Sequence, residues 1–337
     1  MEEATRPLLG WVAGIEEFTG LESYPTRVAE AAANLVEAGL PVRAVSRALA
    51  DANDALTVRL LGLAEVRLGP PPCPYVWLIL GSGGRREEAL HSDQDNAVAY
   101  AEAGAGSYFA ALADLTVAGL AEAGLPRCPG GYVATRWRYP LAEWERKFRG
   151  WVEVPEAQAL VEAEVLLDFR PIHGELSAAP LDRILRSGGD RPRLEVQMAR
   201  AAVTFDPPLG LFGRIRTRHS RLDLKRAGIA GIVLLARFYA LAAGSTVRPT
   251  EERLAAAADS GTLSRHSAGR LVAAYRLLAE LRLREQIRQF RIGGPPTNYI
   301  RLESLSVEQR RALTDALRVV RDLQQVTARN YHTDAVS

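Results

Sequence analysis

The sequence has few cysteines and no apolar run long enough for an obvious membrane span. Cys73 and Cys128 are the only cysteines in 337 residues, which excludes a disulfide framework and a cysteine metal cluster. The longest apolar run, residues 229–243, is short for a membrane helix and contains Arg237. The N-terminus also has no signal-peptide core. We therefore expect a cytoplasmic protein that does not enter a membrane.

Two common nucleotide-binding motifs are absent as well. The glycine-rich stretch Gly81–Gly84 is followed by two arginines, whereas a Walker phosphate loop ends in Gly-Lys-Ser or Gly-Lys-Thr. A dinucleotide-binding loop needs a third glycine where this chain has Arg86. If these glycines bind phosphate, they do so in another kind of site.

The chain does contain a predicted strand, a glycine turn and two aspartates in quick succession. The apolar run of residues 75–80 follows a proline-rich segment and predicts a buried strand. Residues 81–84 are then predicted to turn, residues 85–90 to form a short helix, and residues 96–100 to form a second strand. Backbone N–H groups at such a glycine turn can bind an anion.

Asp93 and Asp95 stand two residues apart at the start of the second strand. This spacing places both carboxylates on one face, with Gln94 on the other. Adjacent carboxylates repel each other unless a cation neutralises them, and Mg²⁺ prefers such ligands together with phosphates. The stretch therefore indicates metal-assisted chemistry on a nucleoside triphosphate (NTP). The alternative is a plain glycine turn beside a solvated acidic strand end.

Asp168 is a further acidic residue in an apolar setting. Residues 165–169 are predicted to form a strand, and a carboxylate at the end of a buried strand needs a charged or metal partner. Arg170 is one candidate for that partner, and a metal ion is the other.

One sequence pattern resembles the nucleotidyltransferase superfamily that includes DNA polymerase β, kanamycin nucleotidyltransferase and PII uridylyltransferase. The pattern is Gly81-Ser82, then ten further residues, then Asp-x-Asp. The fuller string, from Gly-Ser-Gly-Gly-Arg to Ser-Asp-Gln-Asp-Asn, is similar to a family of bacterial signalling nucleotidyltransferases often attached to CBS or cyclic-nucleotide-binding domains. No His-Asp dipeptide occurs, so the hydrolase domain of PII uridylyltransferases is not expected. Segments 128–131, 144–151, 168–170 and 223–226 also resemble that family.

The resemblance implies metal-dependent transfer of a nucleoside monophosphate (NMP) from an NTP to an acceptor hydroxyl. Mg²⁺ or Mn²⁺ is the expected metal, and the acceptor is a small molecule or a protein, for instance a regulatory one. The alternative is a regulatory module that binds NTP without turning it over. The implied nucleotide-binding residues are Gly81, Ser82, Gly83 and Arg85, and the implied catalytic and metal-binding residues are Asp93, Asp95 and Asp168.

The resemblance also implies an α+β fold. A polymerase β-like mixed-sheet domain, residues 69–190, is expected between an N-terminal helical segment, residues 1–68, and a C-terminal helical bundle, residues 191–337, for substrate binding. Helices are predicted at 27–37, 42–63, 110–123 and 155–163, and a strand at 132–136. In the last region, helices are predicted at 194–203, 222–243, 251–257, 268–290 and 307–330. Trp137, Trp144 and Trp151, seven residues apart, predict core packing or base stacking.

Charge is unevenly distributed along the chain. Residues 1–190 contain 17 Lys and Arg against 27 Asp and Glu, whereas residues 191–337 contain 25 against 13. The excess of basic residues in the second half predicts either that this half binds an anionic partner or that the two domains have complementary surfaces. Aromatic residues do not interleave with the arginines, so a nucleic acid is not the favoured partner. The sequence leaves open whether the protein forms a homo-oligomer. The densest basic cluster comprises Arg214, Arg216, Arg218, Arg221, Lys225 and Arg226.

Overall fold

The computed structural model describes residues 2–154, 163–187, 192–210, 214–217 and 220–333. The chain divides into two compact units. The first comprises Met1–Phe148 and Glu162–Leu181, and the second comprises Arg149–Val161 and Asp182–Ser337. The fold is α+β, with a four-stranded mixed sheet in the first unit and many helices in both. The boundaries at residues 68 and 190 stay a prediction.

Three helices begin the first unit: α1 (Glu2–Ala13), α2 (Tyr24–Glu37) and α3 (Val42–Leu68). Apolar residues spaced three and four apart give α3 a buried face that contains Leu49, Leu56 and Leu60. Pro25 lies in the first turn of α2, where an N–H group has no intrahelical acceptor. The structure confirms the two predicted helices and extends the second to Leu68.

The sheet consists of β1 (Tyr75–Ile79), β2 (Asn96–Tyr100), β3 (Arg138–Pro140) and β4 (Arg170–His173), in the order β3-β2-β1-β4. β1 is antiparallel to β2 and β4, and β2 is parallel to β3. Because Ile79 pairs with Asn96, the chain leaves β1 and enters β2 at the same end of the sheet. The glycine turn and the acidic pair both belong to this connection.

Three predictions for the first unit are wrong in detail. The turn after β1 is itself helical, α4 (Gly81–Gly84), and Arg86 then has φ 56°, which ends the helix before the predicted 85–90. Residues 132–136 form no strand, since β3 begins at Arg138. Residues 163–166 are helical, and the predicted 165–169 strand is replaced by β4. A short apolar run does not distinguish a strand from a buried helix.

Helix α5 (Gly106–Glu122) covers the sheet, and α6 (Leu141–Glu153) and α7 (Ala179–Arg186) follow β3 and β4. By length and composition alone, residues 103–122 could cross a membrane, a test that core helices of soluble proteins also pass. Phe109 and Leu112 of α5 are fully buried in one cluster with Trp77 and Val98.

The tryptophan series belongs to the packing of the protein. Trp137, Trp144 and Trp151 are all buried, and the first two rings lie 5.9 Å apart. Trp144 Nε1 also donates a 3.0 Å hydrogen bond to the Val98 carbonyl. These contacts favour core packing over base stacking. The predicted helix 155–163 falls almost entirely outside the described residues.

The second unit contains α8 (Pro192–Ala202), α9 (Ala230–Ala242), α10 (Thr250–Ser260), α11 (Arg265–Arg291) and α12 (Val307–Asn330). The prediction of an all-helical region is wrong, because β5 (Arg221–Asp223) pairs antiparallel with β6 (Tyr299–Arg301). Asp223 Oδ1 accepts the Arg226 N–H, so the strand ends in a capped turn, and a π-helical turn, Lys225–Ile229, precedes α9.

Candidate functional site

The glycine turn after β1 has a backbone that only glycine tolerates. Gly81 has φ 55°, and a Cβ there would lie 2.6 Å from Asp95 Oδ2. A Cβ on Gly84 would lie 1.7 Å from the Asp168 carbonyl oxygen. The first N–H groups of a helical turn have no intrahelical acceptor. The amides of Gly81, Ser82 and Gly83 therefore stand at the start of this turn without an acceptor inside the helix.

Asp93 and Asp95 lie beside this turn. The Leu80 N–H donates to the Asp95 carbonyl over 2.9 Å, which ties the acidic pair to the end of β1. Both aspartates are half-buried and line one cavity of about 20 Å³, room for a water-sized species. Gln94 instead donates through its amide to the carbonyls of Val117 and Leu125.

Asp168 is placed differently from the other two acids. Its carboxylate is fully buried, and Arg85 Nη1 contacts Oδ2 at 2.5 Å. Arg85 also binds Glu87 through Nε at 2.7 Å. Arg170, the partner that the sequence suggested, is directed away from Asp168, because β4 points its guanidinium at Asp54 of α3.

The metal-binding capacity of the site rests on Asp93 and Asp95. Within the part of the chain that the structure describes, no group of three His, Cys, Asp or Glu side chains could hold a metal ion. Two carboxylates facing one cavity still fit Mg²⁺, since this ion takes one or two protein carboxylates and completes its shell with phosphates and water. Asp168 as a third ligand stays a prediction.

Cys128 lies against the acidic pair without belonging to the ligand set. Burial, and then the charge of Asp95, to which the thiol donates a hydrogen bond, together raise the pKa of the thiol to about 11. A thiol that keeps its proton is a poor metal ligand. Cys128 thus acts as a neutral donor to one carboxylate of the pair.

Helix α3 supplies residues that the sequence analysis did not identify. Asn53 and Asp54 line the same cavity as the aspartate pair. A signal was available, because Asn53 falls on the apolar stripe formed by Leu49, Leu56 and Leu60, at spacings of four, three and four. A polar side chain at a core position of a helix needs a polar partner. Here the partners are Glu88, to which the Asn53 amide donates, and the Tyr24 hydroxyl, which donates to Asn53 Oδ1.

Glu88 is a buried carboxyl group at the wall of the cavity. It is 7% exposed, accepts a hydrogen bond from Asn53 and approaches Gly83, where a Cβ would lie 2.7 Å from Oε1. Burial and then the charge of Asp54 raise its pKa from 4.5 to about 8, although the Asn53 hydrogen bond and Arg170 oppose the shift. Glu88 is therefore mostly neutral at pH 7 and adds little negative charge to the site.

The basic cluster lies in the second unit. Arg221 and Arg301 face each other directly across the β5–β6 ribbon, and both are exposed. Arg218 lies outside the described residues. The other members of the predicted cluster are all exposed: Arg214, Arg216, Lys225 and Arg226.

The mixed sheet, the glycine turn and the acidic pair that follows it are consistent with a nucleotidyltransferase class of domain. Two family matches give the particular family. Residues 26–158 match the family described as "Putative nucleotidyltransferase DUF294", and residues 192–331 match the one described as "Putative nucleotidyltransferase substrate binding domain". The chain therefore belongs to this nucleotidyltransferase family. A search of the curated proteins finds no match to this chain.

Proposed function

We propose that the protein is a Mg²⁺- or Mn²⁺-dependent enzyme that transfers NMP from an NTP to an acceptor hydroxyl. The observation that carries this proposal is the contact between Asp95 and the glycine turn, with Asp93 on the same cavity. A phosphate bound by the turn would lie next to both carboxylates. The family membership supports the same reaction class.

In the proposed reaction the acceptor oxygen attacks the α-phosphorus, the bond to the β-phosphate bridge oxygen breaks, and pyrophosphate leaves. The amides of Gly81, Ser82 and Gly83 would hold the β- and γ-phosphates. Asp93 and Asp95 would hold the metal, which when bound polarises the α-phosphate and neutralises the leaving group. The hydroxyl proton passes to a carboxylate, for which we propose Asp168.

Arg85 connects the nucleotide to Asp168 in this proposal. Its guanidinium now binds two carboxylates, Asp168 and Glu87, in a largely buried position. A guanidinium binds phosphate oxygens in the same bidentate geometry as carboxylate oxygens, so a triphosphate can compete for Arg85. NTP binding would therefore draw Arg85 away and leave the Asp168 carboxylate able to accept a proton.

A non-catalytic NTP-binding regulatory module is the second candidate. The burial of Asp168 and its ion pair with Arg85 favour it, because a catalytic base must reach the acceptor. The two candidates differ in a single measurement. Calorimetry with Mg²⁺ and NTP detects binding in both, whereas pyrophosphate release with candidate acceptors present occurs only in the enzyme.

We further propose an anionic or acidic acceptor bound by the second unit, and a signalling role in the cytoplasm. The exposed basic cluster and the substrate-binding family match of residues 192–331 support the acceptor site in the second unit. The acceptor would be a small molecule or a regulatory protein. Incubation with labelled NTPs and a lysate of the source organism shows what becomes labelled.

Asp93→Asn and Asp95→Asn test the proposed reaction. Each variant removes one charge from the metal site, so we expect NMP transfer to fall at least about a hundredfold while thermal unfolding stays unchanged. Asp114→Asn is the matched control, since Asp114 is exposed on α5. Transfer at the wild-type rate in both variants would remove the pair from the mechanism.

A further inference from the structure

One turn of helix α3 makes three polar contacts with the loop that starts at the glycine turn and with the strand beside it. The three positions fall within four residues of the helix, so a small stretch of α3 faces both segments. The pairs are Asp51 with Arg86, Asn53 with Glu88, and Asp54 with Arg170.

The Asp54–Arg170 pair reaches the glycine turn itself. Arg170 binds both Asp54 oxygens, at 2.8 and 2.9 Å, and its Nη2 also donates to the Gly83 carbonyl at 2.9 Å. Both side chains are about four-fifths buried, with 20% and 18% exposed. The carbonyl of Gly83 is thus held by a guanidinium whose own orientation is fixed by α3.

This contact fixes the orientation of a peptide plane. The Gly83 carbonyl and the Gly84 N–H belong to one planar unit, and that N–H donates to the Leu80 carbonyl over 2.9 Å. The carbonyl accepts from Arg170 and from the Arg86 N–H, and the N–H is bound by the Leu80 carbonyl, so hydrogen bonds hold the plane at both ends. Glycine on both sides would otherwise allow rotation at small cost.

We propose that Asp54 and Arg170 are positioning residues for NTP binding: they hold the glycine turn in the conformation that presents its amides to phosphate. The inference rests on the proposed function for the role of those amides. It assigns to the N-terminal helical segment a part in nucleotide affinity, whereas the sequence showed no catalytic cluster there.

The expected effect follows from the type of contact. Bidentate hydrogen bonds between charged groups are among the strongest in proteins, and loss of one partner leaves the other buried and unpaired. We expect Arg170→Gln and Asp54→Asn each to weaken NTP binding about tenfold or more. Asp54→Glu, which keeps the charge, should recover part of the loss.

The experiment has two arms on the full chain. The first measures hydrogen exchange of the peptide that contains residues 81–86, which needs no ligand. The second measures binding of each ribonucleoside triphosphate with Mg²⁺ by calorimetry. Arg276→Gln is the matched control, because Arg276 makes a similar bidentate pair with Glu251 in the second unit.

We expect faster exchange at residues 81–86 and weaker binding in Arg170→Gln and Asp54→Asn, with neither change in Arg276→Gln. The variant that combines both substitutions should lose no more NTP affinity than the weaker-binding single variant, since the two residues act as one contact. Wild-type exchange at the turn, or unchanged NTP affinity despite faster exchange, overturns the proposal. If wild-type protein binds no NTP, the proposed function fails, and the exchange arm still shows whether Arg170 holds the turn.

Discussion

At the scale of single residues, glycines 81 and 84 show why the turn has its composition. Gly81 needs a positive φ and leaves room for the Asp95 carboxylate, whereas Gly84 leaves room for the carbonyl of Asp168. The sequence predicted a glycine turn from local pattern alone. The local pattern could not predict the contact between Gly84 and Asp168, because Asp168 lies 84 positions further along the chain.

Gly84→Ala should destabilise the protein by about 3 kcal/mol, because a Cβ at 1.7 Å from a backbone oxygen forces the turn or β4 to move. Gly62→Ala is the control. That position lies within α3 with no atom near its Cβ, and the change should stabilise by about 0.5–1 kcal/mol. Urea denaturation measures both, and equal stabilities would show that the turn adapts freely.

Glu88 should give the protein a distinctive pH dependence. Its folded pKa is about 8 against an ordinary 4.5, so the folded state keeps a proton that the unfolded state has lost. The contribution of Glu88 to the free energy of unfolding is therefore complete below pH 4.5. It is lost as the pH rises to 8, by up to about 1.4 kcal/mol per pH unit. Glu88→Gln, which resembles the neutral form, should remove this slope.

Denaturation of wild type and Glu88→Gln at pH 5, 6, 7, 8 and 9 measures that difference. The advantage of the glutamine variant should grow with pH up to about 8 and then level off. Glu280→Gln serves as control, since Glu280 is half-exposed in a surface pair with Arg284. Parallel pH curves for wild type and the Glu88 variant would contradict the assigned pKa.

At the scale of elements, the length of a segment determined how well it was predicted. The α12 bounds, Val307–Asn330, agree with the prediction, because 24 residues show the helical period clearly. Strands β5 and β6 have three residues each, too few for an alternation to be visible. The error at residues 165–169 has the same origin, since a five-residue run with four apolar residues suits a strand and a helix equally.

The β5–β6 ribbon offers a test at this scale. Arg221 and Arg301 are directly opposite, and like charges in that position destabilise a strand pair. Arg221→Gln should therefore stabilise the protein by about 0.2–1 kcal/mol in chemical denaturation. Lys225→Gln, an exposed change beyond the ribbon, should have no effect. A loss of stability in Arg221→Gln would reveal an attractive contact instead.

At the scale of the whole molecule, the charge asymmetry and the division into two units are related but do not coincide. Residues 1–190 have a net charge of −10 and residues 191–337 of +12, and the second unit also includes residues 149–161 and 182–190. Composition indicated two differently charged parts. It could not show that the chain crosses between the units more than once, since that depends on tertiary packing.

The candidate site was predicted in part. Asp93, Asp95 and the glycines were found because they lie within one short stretch with a recognisable order. Asn53, Glu88 and Arg170 were missed as site residues because each becomes significant only through a distant partner. Local pattern identifies residues that follow each other in the chain, and it does not identify pairs formed by folding.

The three polar pairs between α3 and the rest of the first unit have an evolutionary consequence. A chimera of two relatives joined between α3 and β1 would combine an aspartate from one lineage with an arginine from the other. We therefore expect substitutions at positions 54 and 170 to occur together among relatives, as well as those at 53 and 88. Exchange of the N-terminal helices between homologues should succeed only where both chains carry matching residues at these pairs.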